Sequence, residues 1–424
     1  MVCRSGRAPR RFTRHGIQTT LHRSLRRRNP NAPCPLFPSL HGVRIPPTHH
    51  ERNTVSRALP LRAVLASAAV LTAIAPIALP APALANSPAP VASAAGRHTG
   101  PDVIDTRAAD VYPEGVAWDP TRRAFLVGSA LKGTLSVIRL DGTVEELAPS
   151  IGMVSTLGVR VDTARNRILV AYSDFWIRQR LEVGDQPPTS GVAVFALDTG
   201  KLQRRIDVAQ GLPRTFANDL TFDPQGNIYV TDSVSQTLQR IDLAGHVTPV
   251  VSDPRFAAQI VGLNGIVWHP DGYLLAVRYD DGRMFRIRPD APAGRKVAEV
   301  DLAEPLVGTD GLGLRPDGSL VVVTNSIGAA VGAPGGVDAV KVVGSRDGWR
   351  SASVRSRVDP WPVGGPTTVA VTPYGDYVLS GEVGTVLVGE TSDRIVLRRL
   401  PCSGPVRHGH STSSNSTSSK GIIR

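Results

Sequence analysis

The chain has 424 residues, with 48 Lys and Arg against 36 Asp and Glu, a formal charge of +12. The excess is local: residues 1–85 hold 13 Arg, no Lys and one acid, Glu51, which leaves 48 − 13 = 35 bases and 36 − 1 = 35 acids in residues 86–424. A neutral body excludes the basic footprint of a nucleic-acid binder, and with Cys402 the one cysteine beyond Cys3 and Cys34, an internal disulfide framework and a Cys metal cluster are excluded too.

Residues 1–85 read as a basic N-terminal extension ending in a signal peptide. Arg57 and Arg62 precede the apolar run 63–79, and "ALA" at 83–85 suits cleavage before Asn86. Pro76, Pro80 and Pro82 argue against a membrane anchor, so no stable span is expected once the signal is removed. A secreted or periplasmic protein follows. The Arg- and Pro-rich stretch ahead of Glu51 gives the alternative, an organellar transit peptide. Residues 86–100 are a linker, 101–401 one large domain, and 402–424, with "HSTSSNSTSSK", a disordered polar tail.

The domain has hardly any helical periodicity. Short β-branched runs alternate with Gly, Pro, Asp and Asn, the pattern of an all-β fold. Six segments repeat one module, a ring position followed by a hydrophobic strand, a turn and a second strand. They are "EGVAWDPTRRAFLVGS" from Glu114, "LGVRVDTARNRILVAYS" from Leu157, "NDLTFDPQGNIYVTDS" from Asn218, "NGIVWHPDGYLLAVRY" from Asn264, "DGLGLRPDGSLVVVTN" from Asp310 and "TTVAVTPYGDYVLSG" from Thr367. The intervals are 43, 61, 46, 46 and 57 residues. Two further strand candidates stand between successive modules, so each repeat is a four-stranded blade and the whole a six-bladed β-propeller. Asp223, Asp271 and Asp317 belong to the turns. Trp118, Phe222 and Trp268 recur at matching places and are expected to pack blade on blade. His246 and His269 fall in turns and are read as structural.

In a propeller the first strand of each blade borders the central channel, so the six first residues form one ring: Glu114, Leu157, Asn218, Asn264, Asp310 and Thr367. Two carboxylates and two amides on one ring suit a hard cation. Calcium is the first choice, with Mg2+, Mn2+ or Zn2+ as alternatives; the lack of His and Cys in the ring weighs against zinc and copper. Asp219 either holds Asn218 in place or lines the pocket. The ends of the second strands bring Tyr172, Asp174, Asp232, Arg278, Tyr279, Asn325 and Glu382 toward the mouth. Asp219, Arg278, Asn325 and Tyr172 are the candidate substrate contacts, Arg278 as a cation for an anionic or oxyanionic group. The long polar segment 174–188 could lid the pocket.

"YPEGVAWDP", "ANDLTFDPQGNIYVTDS", "GLNGIVWHPDG" and "TDGLGLRPDGSL", in that order, resemble the senescence marker protein/gluconolactonase family over about residues 110–385. The family is one of six-bladed propellers that also resembles calcium-dependent phosphotriesterases. The resemblance implies a divalent ion, usually calcium, on Glu114, Asn218, Asn264 and Asp310, with Asp310 as general base or nucleophile. Phe216 stands where the lactonases of the family carry an arginine, which departs from sugar-acid recognition. The expected function is therefore a calcium-dependent hydrolase of lactones or esters, acting as a monomer on a small-molecule substrate. The alternatives are a phosphotriesterase-type hydrolase and a non-enzymatic binding propeller with a structural calcium.

Overall fold

In a computed structural model, the described residues are 100–401 apart from 151, 154, 175–188, 211 and 213. The N-terminal extension, signal peptide, linker, polar tail and most of the segment 174–188 lie outside them.

Six antiparallel sheets account for nearly all regular structure. Blade 1 runs through Val116–Asp119, Ala124–Val127, Leu135–Arg139 and Val144–Ala148, each strand beside the previous one, and blades 2 to 4 repeat that order from Thr156, Ala217 and Leu263. Blade 5 begins at Thr309 and gains a short parallel edge strand, Asp301–Leu302, outside Ser351–Val358. Blade 6 has three strands from Pro366 to Arg399, and the N-terminal strand Val103–Arg107 pairs with Arg394–Arg399 as its fourth. The innermost strands touch in sequence from blade 1 to blade 6 and back to blade 1. This is a closed six-bladed β-propeller, held shut by the two ends of the domain in one sheet.

The packing follows from strand alternation. In the second strand of blade 2, "RILVAYS", every residue is buried. Ile168 and Val170 face blade 1, while Leu169 and Ala171 face blade 3. Successive side chains leave opposite faces of a sheet, so an apolar run with no polar alternation is what a sheet covered on both faces requires. Six hydrophobic clusters result, one between each pair of neighbouring blades. Each fully buried Leu, Ile or Val in them contributes about 1.5–3 kcal/mol. Trp118 meets Phe125 of its own blade and Tyr374 of blade 6 edge-on at 5.1 and 5.6 Å, and Trp268 stacks on Tyr229 of blade 3 at 5.6 Å. The turn aspartates have the local role their motifs suggest: Asp223 accepts from the Asn227 amide and the Tyr229 hydroxyl, and Asp317 from Ser319. No helix among the described residues is long and apolar enough to cross a membrane.

Candidate metal centre and its pocket

Asn218 and Asp219 are poor strand formers at the head of a buried strand, and the pairing register explains them. Ala217 pairs with Asp232 but Leu220 with Val230. Three steps along one strand thus oppose two on the other, a β-bulge. The same extra residue appears in blade 2 between Thr156 and Val159, in blade 4 between Leu263 and Ile266, in blade 5 between Thr309 and Leu312, and in blade 6 between Pro366 and Thr368. A bulge releases a residue from the ladder and re-aims its side chain. In five blades that residue is the ring position, Leu157, Asn218, Asn264, Asp310 or Thr367. Blade 1 reaches the same place differently, with Glu114 two residues ahead of its strand. All six line one cavity of about 110 Å³.

The position after the ring residue faces the next blade. A β-carbon on Gly158 would stand 2.5 Å from Asp219 Oδ1, and one on Gly265 would collide with the Asp310 carbonyl. Blade 3 alone has a charged residue there, Asp219. Its carboxylate lies against Arg160 Nη2 at 2.9 Å, and the Leu220 and Ile266 amides donate to it at 2.8 and 3.3 Å. Arg160, from the inner strand of blade 2, reaches past blade 3 to the Ile266 carbonyl of blade 4 at 3.3 Å. Asp219 is thus beside the ring as an ion-paired carboxylate and is not part of the cavity wall.

Asp310 is buried and held from behind. Asn325 Nδ2 donates to its Oδ2 at 2.6 Å and to the Pro366 carbonyl at 2.8 Å. Asn325 Oδ1 accepts from the Tyr279 hydroxyl at 2.7 Å and from the Ile327 amide at 3.1 Å, so the amide can face only one way. Tyr279 in turn accepts from the Gly328 amide at 2.7 Å. Burial raises the Asp310 carboxyl to about 7, against the downward pull of hydrogen bonds from Asn325 and Asn264. Glu114 is pushed well above the usual carboxylate range, first by burial, then by the charges of Asp310 and Asp219, with Arg160 opposing. Burial also raises Asp219, again against Arg160. Buried carboxylates that repel one another hold protons unless a cation joins them.

The decisive atom is Asn218 Oδ1. Asn218 is 6 % exposed, and this buried oxygen has no hydrogen-bond partner. An amide oxygen that shares one cavity with two carboxylates of raised pKa fits a divalent ion, for which Glu114, Asn218, Asn264 and Asp310 would be the oxygen donors. No cluster of three or more His, Cys, Asp or Glu suited to a metal occurs among the described residues, so such a site depends on the two amides.

None of the four expected substrate contacts, Asp219, Arg278, Asn325 and Tyr172, is part of the cavity wall. Arg278 is absent from the cavity wall: its guanidinium pairs with Asp281 and donates to the Arg255 and Ala257 carbonyls at 2.6 and 2.7 Å. Tyr172 is buried in the core between blades 1 and 2, under the Arg205 guanidinium at 4.8 Å. Their strand partners show why: Tyr172 pairs with Thr156 and Arg278 with Leu263, each one residue short of the ring. The following residues, Ser173 and Tyr279, leave the opposite face and do line the cavity. Asn325 occupies the equivalent place in blade 5 and meets Asp310 instead of open space. Asp232 staples its loop through Thr215, Phe216, Val234 and Ser235, and Glu382 accepts from the Thr385 hydroxyl. Arg160, which sequence reading passed over, had one visible signal: it is the sole charge at the fourth place of the six modules, where Ala117, Thr221, Val267, Gly313 and Ala370 stand.

Above the ring the wall turns apolar. Phe216 packs on Val234 and on Leu157 of the ring on one side, and Val261 and Tyr279 pack with Ile260 and Val331 on another. A 3-10 turn, Ile327–Val331, and a short helix α1, Val383–Leu387, touch each other at the mouth. Val383, Val386 and Leu387, spaced i, i+3 and i+4, give one face of α1 to the cavity.

Fold and site together define a six-bladed propeller with an oxygen-donor ring in its channel. Residues 112–347, more than half of the chain, match the family described as the SMP-30/Gluconolactonase/LRE-like region, and the chain belongs to that family. Among solved structures, the Malassezia sympodialis allergen Mala s 1 is similar at 18% identity and TM-score 0.57, over 73% of this chain and 99% of that one. A Xanthomonas campestris gluconolactonase is similar at 16% and 0.47, over 70% and 88%. Regucalcin, a calcium-binding protein of Agrobacterium tumefaciens, is similar at 16% and 0.46, over 69% and 94%. No curated protein sequence is significantly similar to the chain.

Proposed function

We propose that the chain is a divalent-metal-dependent hydrolase of ester-type bonds, lactones first and phosphotriesters second, with calcium on Glu114, Asn218, Asn264 and Asp310. The observation that carries this reading is Asn218 Oδ1, a buried oxygen without a partner that shares one cavity with the buried Asp310 and the half-buried Glu114. Bound there, the ion would supply Lewis-acid polarisation of a carbonyl or phosphoryl oxygen. The chain's own residues do the rest. Asn325 and Tyr279 fix the rotamer of Asp310, so that its carboxylate accepts the proton of an attacking water or attacks directly. The apolar rim narrows access and keeps bulk water from the floor, which strengthens every charge interaction inside.

The test is proton release from a panel of lactones, aryl esters and phosphotriesters, with calcium and after chelation, with Asp310→Ala as the control. Turnover that needs both the ion and Asp310 supports the hydrolase. A silent panel on folded, calcium-loaded protein removes it and leaves a structural ion in a binding propeller. We further propose export through the signal at residues 57–85. Sequencing the N-terminus of the exported protein tests this, with Asn86 as the expected first residue.

A further inference from the structure

We infer that the pocket takes a compact, uncharged, apolar-bodied ligand carrying one polar end, and that it rejects polyols and sugar acids. The inference rests on the proposed function for the identity of the polar end, an ester or lactone carbonyl directed at the ring. It stands on three observations about the walls.

The first is composition. Leu157 of the ring is apolar, the sides above it are Ala130, Phe216 and Val261, and the cover is Ile327, Val331, Val386 and Leu387. The second is that the hydroxyl groups in the wall are engaged. The Ser155 hydroxyl donates to the Ala130 carbonyl at 2.6 Å, and the Thr367 hydroxyl to the Glu114 carbonyl at 2.7 Å. Tyr279 donates to Asn325 and accepts from Gly328, and Ser173 is engaged as well. A ligand hydroxyl lying against these walls gives up water and finds the Ser155, Thr367 and Tyr279 hydroxyl protons already donated, a cost each further hydroxyl adds to. The third is charge. Among the described residues no Lys or Arg lines the cavity, and Arg278 is committed to Asp281, so no side chain there compensates a ligand carboxylate beside Glu114 and Asp310. Size sets the remaining limit. A cavity of about 110 Å³ is of the same order as the roughly 150 Å³ that admits a benzene ring in a protein core, so a single small ring is the scale.

Two readouts keep this inference separable from the hydrolase reading. The first is binding by inert probes of equal ring size to the calcium-loaded protein, followed by calorimetry: cyclohexanone, a ring with one carbonyl, against inositol, a ring of hydroxyls. Cyclohexanone is expected to bind more tightly by about tenfold or more, the ratio that one or two unpartnered hydroxyls impose. Val386→Asn, a change on the half-exposed α1, is expected to weaken cyclohexanone selectively. The second readout is kcat/KM for δ-hexalactone against glucono-δ-lactone, where the same preference is expected. If inositol binds as well as cyclohexanone, or glucono-δ-lactone is the better substrate, the inference is overturned while the hydrolase stands. If cyclohexanone binds and no ester is turned over, the hydrolase falls and the apolar pocket remains.

Discussion

Asn218→Leu separates a metal ligand from an ordinary residue at a strand start. Its amide oxygen is buried without a partner, and such an atom costs about 1–3 kcal/mol of desolvation in the folded state. Leucine removes that atom, and the side chain points into a cavity of about 110 Å³, so its extra volume meets space. In excess chelator the variant is therefore expected to be more stable than the parent by about 1–2 kcal/mol, seen as a rise of about 2–4 °C per kcal/mol in a domain of this size. Calcium reverses the order. At a hundredfold excess over its dissociation constant an ion bound only by the native state adds about 2.7 kcal/mol, and a ring short of one donor in four gains far less. Thermal unfolding of parent and variant, each with chelator and with calcium, gives four numbers and one required crossing. A variant less stable than the parent in chelator would show that Asn218 is satisfied without a metal. Equal calcium gains for both chains would show that it is not a ligand. Either result refutes the argument.

The pH dependence of the chelated protein follows from the same groups. The folded state raises Asp310 to about 7 and Glu114 well above its usual range, so it holds their protons more tightly than the unfolded chain does. That stabilisation is complete below about pH 4 and is lost as pH rises through about 7; the urea midpoint in chelator is expected to be higher at pH 5 than at pH 8, with calcium narrowing the gap, and a midpoint that climbs toward pH 8 contradicts the raised carboxyls. Arg160→Met leaves Asp219 buried beside two other acids and is expected to cost about 3–5 kcal/mol, most of it recovered by adding Asp219→Asn; urea unfolding of the two variants checks this, and absence of recovery refutes the pairing. Asn325→Leu deletes the hydrogen bond behind Asp310, worth about 1.5–3 kcal/mol to a charged acceptor. Calcium titration is expected to show affinity weaker by about 10- to 100-fold, and unchanged affinity would mean that Asn325 does not hold the ligand carboxylate in place.

How far the site was legible depended on which periodicity carried the information. The blade repeat and the ring position recur at fixed places in six modules, and reading down one column brings together Glu114, Asn218, Asn264 and Asp310 without any knowledge of pairing. The mouth was harder. Residues at the end of the second strands were read as a group, but a strand sends alternate side chains to opposite faces, and a shift of one residue exchanges pocket for core. Asn325 and Tyr279 stand on the correct side of that alternation; Tyr172 and Arg278 stand one residue early. The bulges that set the register were invisible because their signature, a polar or glycine pair at a strand head, is also that of a turn. Arg160 was missed because an arginine inside "LGVRVD" looks like the solvent face of a strand until the blade that covers it is in place.

Asp219 shows how charge at the ring and choice of ligand are connected. At the second bulge position glycine is the ordinary occupant, as at Gly158 and Gly265, because the next inner strand passes so close. An aspartate there adds a third carboxylate next to Glu114 and Asp310, and Arg160, spanning blades 2 to 4, neutralises that one. Glu114 and Asp310 then match the two charges of a divalent ion, with Asn218 and Asn264 adding oxygens but no charge. With a divalent ion bound, the floor would be neutral as a whole. A floor with no surplus positive charge has nothing to draw in a carboxylate, and walls whose hydroxyl protons are already donated, as at Ser155, Thr367 and Tyr279, offer little to a polyol. The same arithmetic of charges that makes the ring suitable for calcium therefore favours an uncharged ligand above it. Asp219→Asn tests the connection from the other side: it leaves Arg160 unpaired beside the ring, and binding of an anionic lactone is expected to improve relative to a neutral one of the same size. An unchanged ratio would mean that the ring's net charge does not govern which ligands enter.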